Sequence, residues 1–167
     1  MADIILIANN LRSCHNVGSL FRTAEGLGIS RVYLTGYTPY PLLSGDTRLP
    51  HLARRIHGRI IKTALGAEKT QAWQHDPSII DVIATLRAQG YVIAALEQTA
   101  RSVSLPGYKT PGKIALIVGR EVEGIESDVL DRCDVHLEIP MAGQKESFNV
   151  VQAAAMAMYH CAFGPSA

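Results

Sequence analysis

Several short runs in this chain are apolar at nearly every position, and they constrain the fold more than any other feature. A strand that is apolar throughout must be covered on both of its faces, which is typical of a parallel sheet. Helix signals separate the runs, so the sequence predicts an α/β fold, a parallel sheet with helices on both faces. The predicted strands are Asp3–Ala8, Arg31–Thr35, Tyr91–Leu96, Lys113–Val118 and Val135–Ile139.

Helical spacing and cap residues occur between these runs. The stretch from Asn16 to Gly28 has apolar residues at helical spacing, with Asn16 as the predicted N-cap. Asp76 and Pro77 open a further helix that Gly90 closes. The other predicted elements are a short helix over Leu52–His57, a short strand over Arg59–Lys62, a short helix over Ser127–Arg132, a long helix over Ser147–Cys161, and loops over Gly36–Pro50 and Thr99–Gly112.

Size and composition exclude several classes of protein. The 167 residues predict one domain, residues 1–167. An apolar share of 47% and a charged share of 19% exclude a disordered chain. The apolar run Ile4–Ala8 is too short to cross a bilayer, and no basic segment of a signal peptide precedes it. We therefore expect a cytoplasmic protein with no membrane partner.

The three cysteines, Cys14, Cys133 and Cys161, lack the spacing of a metal site or of a disulfide framework. Charge is distributed unevenly although the net charge is only +1. Between Thr47 and Ala67 there are five Lys or Arg residues, two His residues and no acid. The sequence therefore predicts no metal site and an anionic partner at this basic segment.

Three segments follow predicted strands, at the edge of the sheet where α/β proteins bind their ligands. Each has an ordinary structural explanation: a solvated arginine, a glycine turn after a strand, and capping residues before a helix. Each also offers polar groups or exposed backbone amides that can hold a ligand. The segments are Asn16-Val-Gly-Ser-Leu-Phe-Arg22, Gly119-Arg-Glu121-Val-Glu-Gly124, and Ile139-Pro-Met joined to Ser147-Phe-Asn149-Val.

Taken together and in this order, the segments resemble the motifs of the SpoU (TrmH) family of RNA ribose 2′-O-methyltransferases, in the SPOUT superfamily. The family patterns are Asn-x-Gly-x-x-x-Arg, Gly-x-Glu-x-x-Gly and Ile-Pro-Met…Ser-x-Asn-Val. Phe148 stands where the family commonly has Leu, and Arg120 where it commonly has Asn. The resemblance covers essentially the whole chain. It implies a six-stranded parallel sheet with a deep C-terminal trefoil knot, formed from about Gly119 to the last helix.

The resemblance also implies a cofactor and a catalytic set. Arg22 would be the central catalytic residue, a cation that stabilises the developing alkoxide, because arginine stays protonated at any working pH. Asn16 would position Arg22, Glu121 would orient Arg22 or the ribose, and Ser147 and Asn149 would shape the site. No metal is needed. S-adenosylmethionine would be bound by Leu96, Glu97, Gln98, Thr99, Val118, Gly119, Arg120, Glu121, Gly124, Ile139, Pro140, Met141, Ser147, Phe148, Asn149 and Val150.

The partners implied are RNA and a second copy of the chain, with the active site at the interface of a homodimer. The last helix offers an apolar face for that interface, which an ordinary core would explain equally well. Its residues are Val151, Ala154, Ala155 and Met158. The predicted RNA-binding residues are Arg12, Arg22, Arg48, Arg54, Arg55, Arg59 and Lys62, with Tyr37 and Tyr40 as stacking partners.

The RNA target stays open at this stage. The stretch from Glu97 to Ser102 resembles relatives that methylate a guanosine of the tRNA D-loop, which favours tRNA. A tRNA wobble ribose and a ribosomal RNA ribose are alternatives. A different class, a non-catalytic RNA-binding dimer, would have no need for the intact set of Arg22, Glu121, Ser147 and Asn149.

Overall fold

A single sheet of seven strands, all parallel to their neighbours, organises the computed structural model, which describes residues 2–167. Its order is β3-β2-β1-β6-β4-β7-β5. The strands are β1 (Asp3–Asn9), β2 (Arg31–Thr35), β3 (Trp73–Asp76), β4 (Val92–Leu96), β5 (Val103–Ser104), β6 (Lys113–Val118) and β7 (Val135–Glu138).

Helices cover both faces, as the apolar strands require. In β1, Ile4, Leu6 and Ala8 point to one core, whereas Ile5 and Ile7 point to another. The first core is closed by α1, α2, α3 and α6, and the second by α4 and α5. The predicted α/β class is confirmed. The helices are α1 (Cys14–Gly26), α2 (Pro50–Ala64), α3 (Ala67–Thr70), α4 (Ile79–Ala88), α5 (Ser127–Leu130) and α6 (Val150–Phe163).

The sequence analysis was wrong about the basic segment and about the edges of the sheet. Instead of a helix over Leu52–His57 and a strand over Arg59–Lys62, one helix, α2, runs through both, because Ala53, Ile60 and Ala64 share one buried helical face. The edge strands β3 and β5 were missed because their sequences are polar or very short. The sheet therefore has seven strands, rather than the six that the family resemblance implies.

The cap of α1 and the start of α6 also differ from the prediction, whereas Asn149 lies in the cap region as predicted. Ser13, not Asn16, caps α1, and its hydroxyl accepts a hydrogen bond from the Asn16 backbone N–H at 3.2 Å. Asn149 caps α6, accepting from the Val151 N–H at 2.9 Å, so that helix begins after Ser147 rather than at it. The Asn16 backbone N–H therefore bonds to the cap residue, whereas the Asn16 side chain takes no part in the cap.

The strand pairing does not test the trefoil knot, which stays a prediction. Among residues 2–167, no helix is long and apolar enough to cross a membrane. Within the same residues no group of three or more His, Cys, Asp or Glu side chains is arranged to hold a metal ion.

Helix α1 packs closely against α2 at Gly18. A Cβ at this position would overlap the Ile60 carbonyl oxygen and the Thr63 hydroxyl of α2. The Thr63 hydroxyl also donates to the His15 carbonyl oxygen at 2.8 Å. Gly18, the glycine of the first motif, therefore allows α1 to pack closely against α2.

Gly18→Ala is expected to lower the free energy of unfolding by about 1–3 kcal/mol, because backbone atoms of α2 must move to make room. Gly26→Ala, in the same helix but with nothing within 4 Å of the added Cβ, is the control. It should leave stability unchanged or raise it by up to about 1 kcal/mol. Urea unfolding followed by circular dichroism measures both, and equal effects would contradict the packing argument.

Candidate functional site

A cavity of about 210 Å³ lies at the carboxyl ends of the adjacent strands β6, β4 and β7. The loops that follow these three strands form its walls, together with the start of α6. Of the 16 predicted cofactor-binding residues, 13 line it, and these come from the end of β4 and the loop after it, from the end of β6, and from the second and third motifs. They are Leu96, Glu97, Gln98, Val118, Gly119, Arg120, Glu121, Gly124, Ile139, Met141, Ser147, Phe148 and Val150.

The other three predicted residues lie outside this lining. Asn149 is used as the cap of α6, and Pro140 is exposed. Thr99 bonds to the ring of the buried His136 at 2.8 Å and to Ser102. These hydrogen bonds shape the loop after β4 without placing Thr99 in the cavity. Sequence reasoning missed six lining residues, most of which are neighbours of the motif positions: Val122, Glu123, Leu137, Glu138, Glu146 and Ala153.

The loop from Gly119 to Gly124 closes on itself. The N–H of Arg120 donates to the Gly124 carbonyl at 3.2 Å, and the N–H of Gly124 donates back to the Arg120 carbonyl at 3.1 Å. Gly124 has a φ of 72°, and a Cβ there would overlap the Glu97 carboxylate. That carboxylate accepts from the Ile125 N–H at 3.0 Å, so a side chain at position 124 would break the contact between the two loops.

Glu121 joins the first and second motifs. Its carboxylate accepts from the Asn16 side-chain amide at 3.1 Å, from the Ser13 N–H at 3.3 Å and from the Arg12 N–H at 3.4 Å. These donors surround the N-terminus of α1, where the helix dipole favours a negative charge. Glu121 therefore fixes the cavity loop to the start of α1.

Glu126 makes a second connection, which the sequence analysis did not find. One carboxylate oxygen accepts from the Asn9 amide at 3.0 Å and the other from the Asn10 amide at 2.8 Å, both at the end of β1. The Arg120 guanidinium lies 3.5 Å from the same carboxylate. The pair of asparagines directly after a buried strand was the only signal in the sequence.

Arg22 does not meet Asn16 or Glu121 within one chain. It is exposed on α1 and lines a different cavity, of about 910 Å³, along the outer face of α6. Within residues 2–167 the Asn16 side-chain N–H donates to Glu121 and makes no hydrogen bond to Arg22, so the positioning of Arg22 by Asn16 stays a prediction. Lys62 lies in a shallow depression that Arg22 also lines. Ile139 lines both the cavity along α6 and the cavity at the strand ends.

The outer face of α6 exposes apolar side chains beside Arg22. Tyr159 is 60% exposed and Phe163 is 55% exposed, and both line the cavity that contains Arg22. Of the interface residues predicted on this helix, Ala154 and Met158 are buried in the core and cannot serve. Val151 and Ala155 are half-buried. The exposed apolar face therefore overlaps the predicted one only at Ala155, which lines the same cavity as Tyr159 and Phe163.

Among the predicted RNA-binding residues, Arg48 differs from the rest. Its guanidinium bonds to Asp46 and to the carbonyls of Tyr40 and Pro41, and it lies over the Tyr40 ring. This contact holds the pKa of Asp46 well below its usual range. Arg48 therefore stabilises the loop after β2 and is not free to bind phosphate, whereas Arg12, Arg54, Arg55, Arg59 and Lys62 are exposed.

Arg12 and Glu123 form an exposed ion pair at 3.0 Å beside the cavity at the strand ends. A backbone hydrogen bond and then the charges of Arg12 and Arg120 lower the pKa of Glu123. The Tyr37 phenol and then Glu123 raise the pKa of Arg12. Both groups of the pair therefore stay charged at neutral pH.

Parallel α/β proteins that bind a ligand at the carboxyl ends of the strands are the class that this fold and cavity define. The family model described as the SpoU rRNA Methylase family matches residues 3–159. The chain belongs to that family, which confirms the resemblance drawn from the three motifs.

Individual relatives agree with this assignment. The chain is 29% identical over 158 residues to the 23S rRNA (guanosine(2553)-2′-O)-methyltransferase RlmP of Bacillus subtilis, covering 93% of this chain and 56% of that protein. It thus spans about half the length of this relative.

Solved structures share the fold. An AdoMet-bound rRNA methyltransferase from Sinorhizobium meliloti superposes with a TM-score of 0.81 at 21% identity, covering 95% of this chain and 55% of that one. A structure described as giving insights into the 2′-OH methylation of C/U34 on tRNA has a TM-score of 0.73 at 24% identity, and the match covers 98% and 96% of the two chains.

Glu121→Gln is expected to lower the free energy of unfolding by ~1–2 kcal/mol, because a neutral amide replaces a carboxylate that accepts three N–H donors. Glu123→Gln is the matched control two residues away, where only an exposed ion pair is lost and the change should stay within about 0.5 kcal/mol. Thermal and urea unfolding of the two variants measure the difference. A loss of similar size in both would contradict the anchoring role of Glu121.

Proposed function

We propose that the protein is an S-adenosylmethionine-dependent RNA methyltransferase that transfers a methyl group to a ribose 2′-hydroxyl. The observation that carries this proposal is the cavity at the ends of β6, β4 and β7, which the second and third motifs and the loop after β4 build together. The first motif is tied to the rim of that cavity through Glu121. Membership of the SpoU family supports the same reaction.

The charge of the cavity suits a cationic ligand. Five of the residues that line the cavity are glutamates, whereas Arg120 is the single basic residue in the lining. S-adenosylmethionine carries a sulfonium, and its methyl group is the one that would be transferred when it is bound. The loops offer backbone groups and the apolar side chains of Leu96, Ile139 and Phe148 around those carboxylates. The residues present therefore fit the cofactor by charge and by their mixture of apolar side chains and polar backbone groups.

The reaction requires removal of a proton from a weakly acidic hydroxyl and its alignment with the methyl group. Alignment alone can lower a barrier by roughly 7–11 kcal/mol. Arg22, which stays protonated, would stabilise the negative charge that develops on the ribose oxygen and would hold a neighbouring phosphate. Lys62, which lines the depression beside Arg22, would add to the positive charge there.

The site is proposed to form between two copies of the chain. Arg22 of α1 lines the cavity along α6 and not the cavity at the strand ends, so one chain alone does not bring it to Glu121. Tyr159 and Phe163 surround Arg22 with exposed apolar surface, which a second copy would bury. In such a homodimer the Arg22 of one copy would face the cavity of the other.

The similar proteins differ in the RNA that their descriptions name. The Bacillus subtilis relative is named for a guanosine of 23S rRNA, whereas the neighbour of matching length is described with C/U34 of tRNA. We propose tRNA as the substrate, with a D-loop guanosine as the first position to examine. The tRNA wobble ribose and ribosomal RNA are the alternatives, and a non-catalytic RNA-binding dimer is the alternative class.

The direct test incubates the protein with labelled S-adenosylmethionine and with separate pools of unmodified tRNA and rRNA. Mass spectrometry then maps the methylated nucleoside. A 2′-O-methyl nucleoside in one pool would support the reaction and identify the RNA class. Binding of S-adenosylmethionine without transfer to either pool would indicate another substrate, and absence of cofactor binding would leave the non-catalytic dimer.

Arg22→Ala is expected to abolish methyl transfer while leaving the affinity for S-adenosylmethionine within about threefold, because Arg22 lies outside the cofactor cavity. Arg22→Lys keeps a cation but not the planar fork, so it should retain a small part of the activity. Single-turnover transfer and isothermal titration measure the two properties. Full activity in Arg22→Ala would remove this residue from catalysis.

Tyr159→Glu is expected to convert a dimer into a monomer and to abolish transfer, since it places a charge in the apolar face beside Arg22. Leu49→Glu is the control, because Leu49 is 62% exposed and lies outside that face. Light scattering after gel filtration gives the mass of each variant. A wild-type monomer with full activity would contradict the shared site.

A further inference from the structure

A second cavity of about 530 Å³ lies beside the carboxyl end of β2, with a different lining from the proposed S-adenosylmethionine site. The loop after β1, the loop after β2 and one face of α2 surround it. Arginines and aromatic rings dominate its wall, and no Asp or Glu lines it. Its principal residues are Arg12, Tyr37, Tyr40, Arg48, Arg55 and Arg59.

The cations in this cavity are not equivalent. Arg12 pairs with Glu123 and Arg48 pairs with Asp46. Arg55 and Arg59 are exposed, and neither takes part in an ion pair within residues 2–167. They are four residues apart on α2, so both side chains lie on the same face of the helix. Two unpaired guanidinium groups on one wall form a site for an anion such as phosphate.

The two tyrosines of this cavity also differ, because one ring is covered by other side chains and the other is exposed. Tyr40 is covered on both faces, by the Arg48 guanidinium at 3.6 Å from the ring centre and by the His75 ring at 4.0 Å. Tyr37 is 54% exposed, and its backbone N–H is held by the Asn10 side chain at 3.1 Å. The Tyr40 ring is therefore part of the cavity wall. The backbone of Tyr37 is held in place, and its ring is exposed to a ligand.

We propose that this cavity, the nucleotide cavity, binds one nucleotide of the substrate RNA, its phosphate on Arg55 and Arg59 and its base stacked on Tyr37. This proposal rests on the proposed RNA methyltransferase function and adds a substrate site to it. A guanidinium group can donate two parallel hydrogen bonds to a phosphate, and an exposed aromatic ring can stack on any base. An acidic peptide would use the arginines without needing the open ring.

The nucleotide cavity adjoins the methyl-transfer site. Arg12 lines the nucleotide cavity and Glu123 lines the cofactor cavity, and their ion pair joins the two rims. The Arg12 and Ser13 N–H groups also bond to Glu121. The two cavities therefore share a rim, and we expect the nucleotide bound there to lie near the target ribose on the same RNA.

The decisive comparison uses three arginines of one helix. Arg55→Ala and Arg59→Ala should each weaken the binding of unmodified tRNA about tenfold or more. Arg54 was also predicted from the sequence to bind RNA, but it does not line the cavity. We therefore revise that prediction and expect Arg54→Ala, which removes the same charge from an exposed position of α2, to have an effect below about threefold. Filter binding of bulk unmodified tRNA, repeated with rRNA fragments, measures all three.

The salt dependence of binding separates a phosphate contact from a general attraction. Loss of one phosphate contact reduces the slope of log affinity against log salt by about 0.7–0.9. Arg55→Ala and Arg59→Ala should show this reduction, and Arg54→Ala should not. Equal affinities and equal slopes for the three variants would overturn the proposal and leave a diffuse basic surface.

The stacking part is tested at Tyr37. Tyr37→Phe keeps the ring and should bind RNA within about twofold of wild type, whereas Tyr37→Ala should weaken binding about tenfold. Equal affinities of the Phe and Ala variants would overturn the stacked base.

Titration with S-adenosylmethionine separates this proposal from the proposed function. The arginine and tyrosine variants should bind the cofactor as wild type does, because none of these residues lines the cofactor cavity. Intact methyl transfer with equal Arg54, Arg55 and Arg59 effects would overturn the nucleotide cavity alone. Wild-type protein that binds the cofactor but neither RNA pool would overturn the nucleotide cavity and the RNA substrate together.

Discussion

The bond between the Glu121 carboxylate and the start of α1 is the contact on which the rest of the site depends. It joins two parts of the chain more than a hundred residues apart, the loop after β6 and the first turn of α1. The carboxylate accepts N–H groups that the helix itself leaves unpaired, so one charge both caps the helix and anchors the loop. This contact holds the second motif directly against the first.

Two further glutamates hold the same loop from other sides. Glu126 bonds to the asparagines at the end of β1, and Glu97 bonds to the Ile125 N–H from the end of β4. The strands that carry these groups are neighbours of β6 in the sheet. The parallel sheet thus provides fixed points around a loop that has no regular secondary structure, and the cavity takes its shape from them.

Charge is separated between neighbouring cavities although the whole chain is nearly neutral. Glutamates dominate the cavity at the ends of β6, β4 and β7, whereas arginines dominate the cavity beside β2. The Arg12–Glu123 pair lies at their common rim. A cationic cofactor and an anionic RNA strand would each be attracted to the cavity of opposite charge, and net charge alone cannot reveal such an arrangement.

The sequence by itself predicted the apolar strands and the α/β class, because strand burial is a local property. The resemblance of its motifs to a known family predicted 13 of the residues that line the cavity at the strand ends. The sequence did not determine the unbroken α2, the polar edge strands or the use of Ser13 as the cap of α1, since these depend on packing against neighbours. Glu126 and the position of Arg22 away from Glu121 were decided by the tertiary structure alone. Their partners are distant in sequence, and only the order of strands in the sheet decides which distant residues meet.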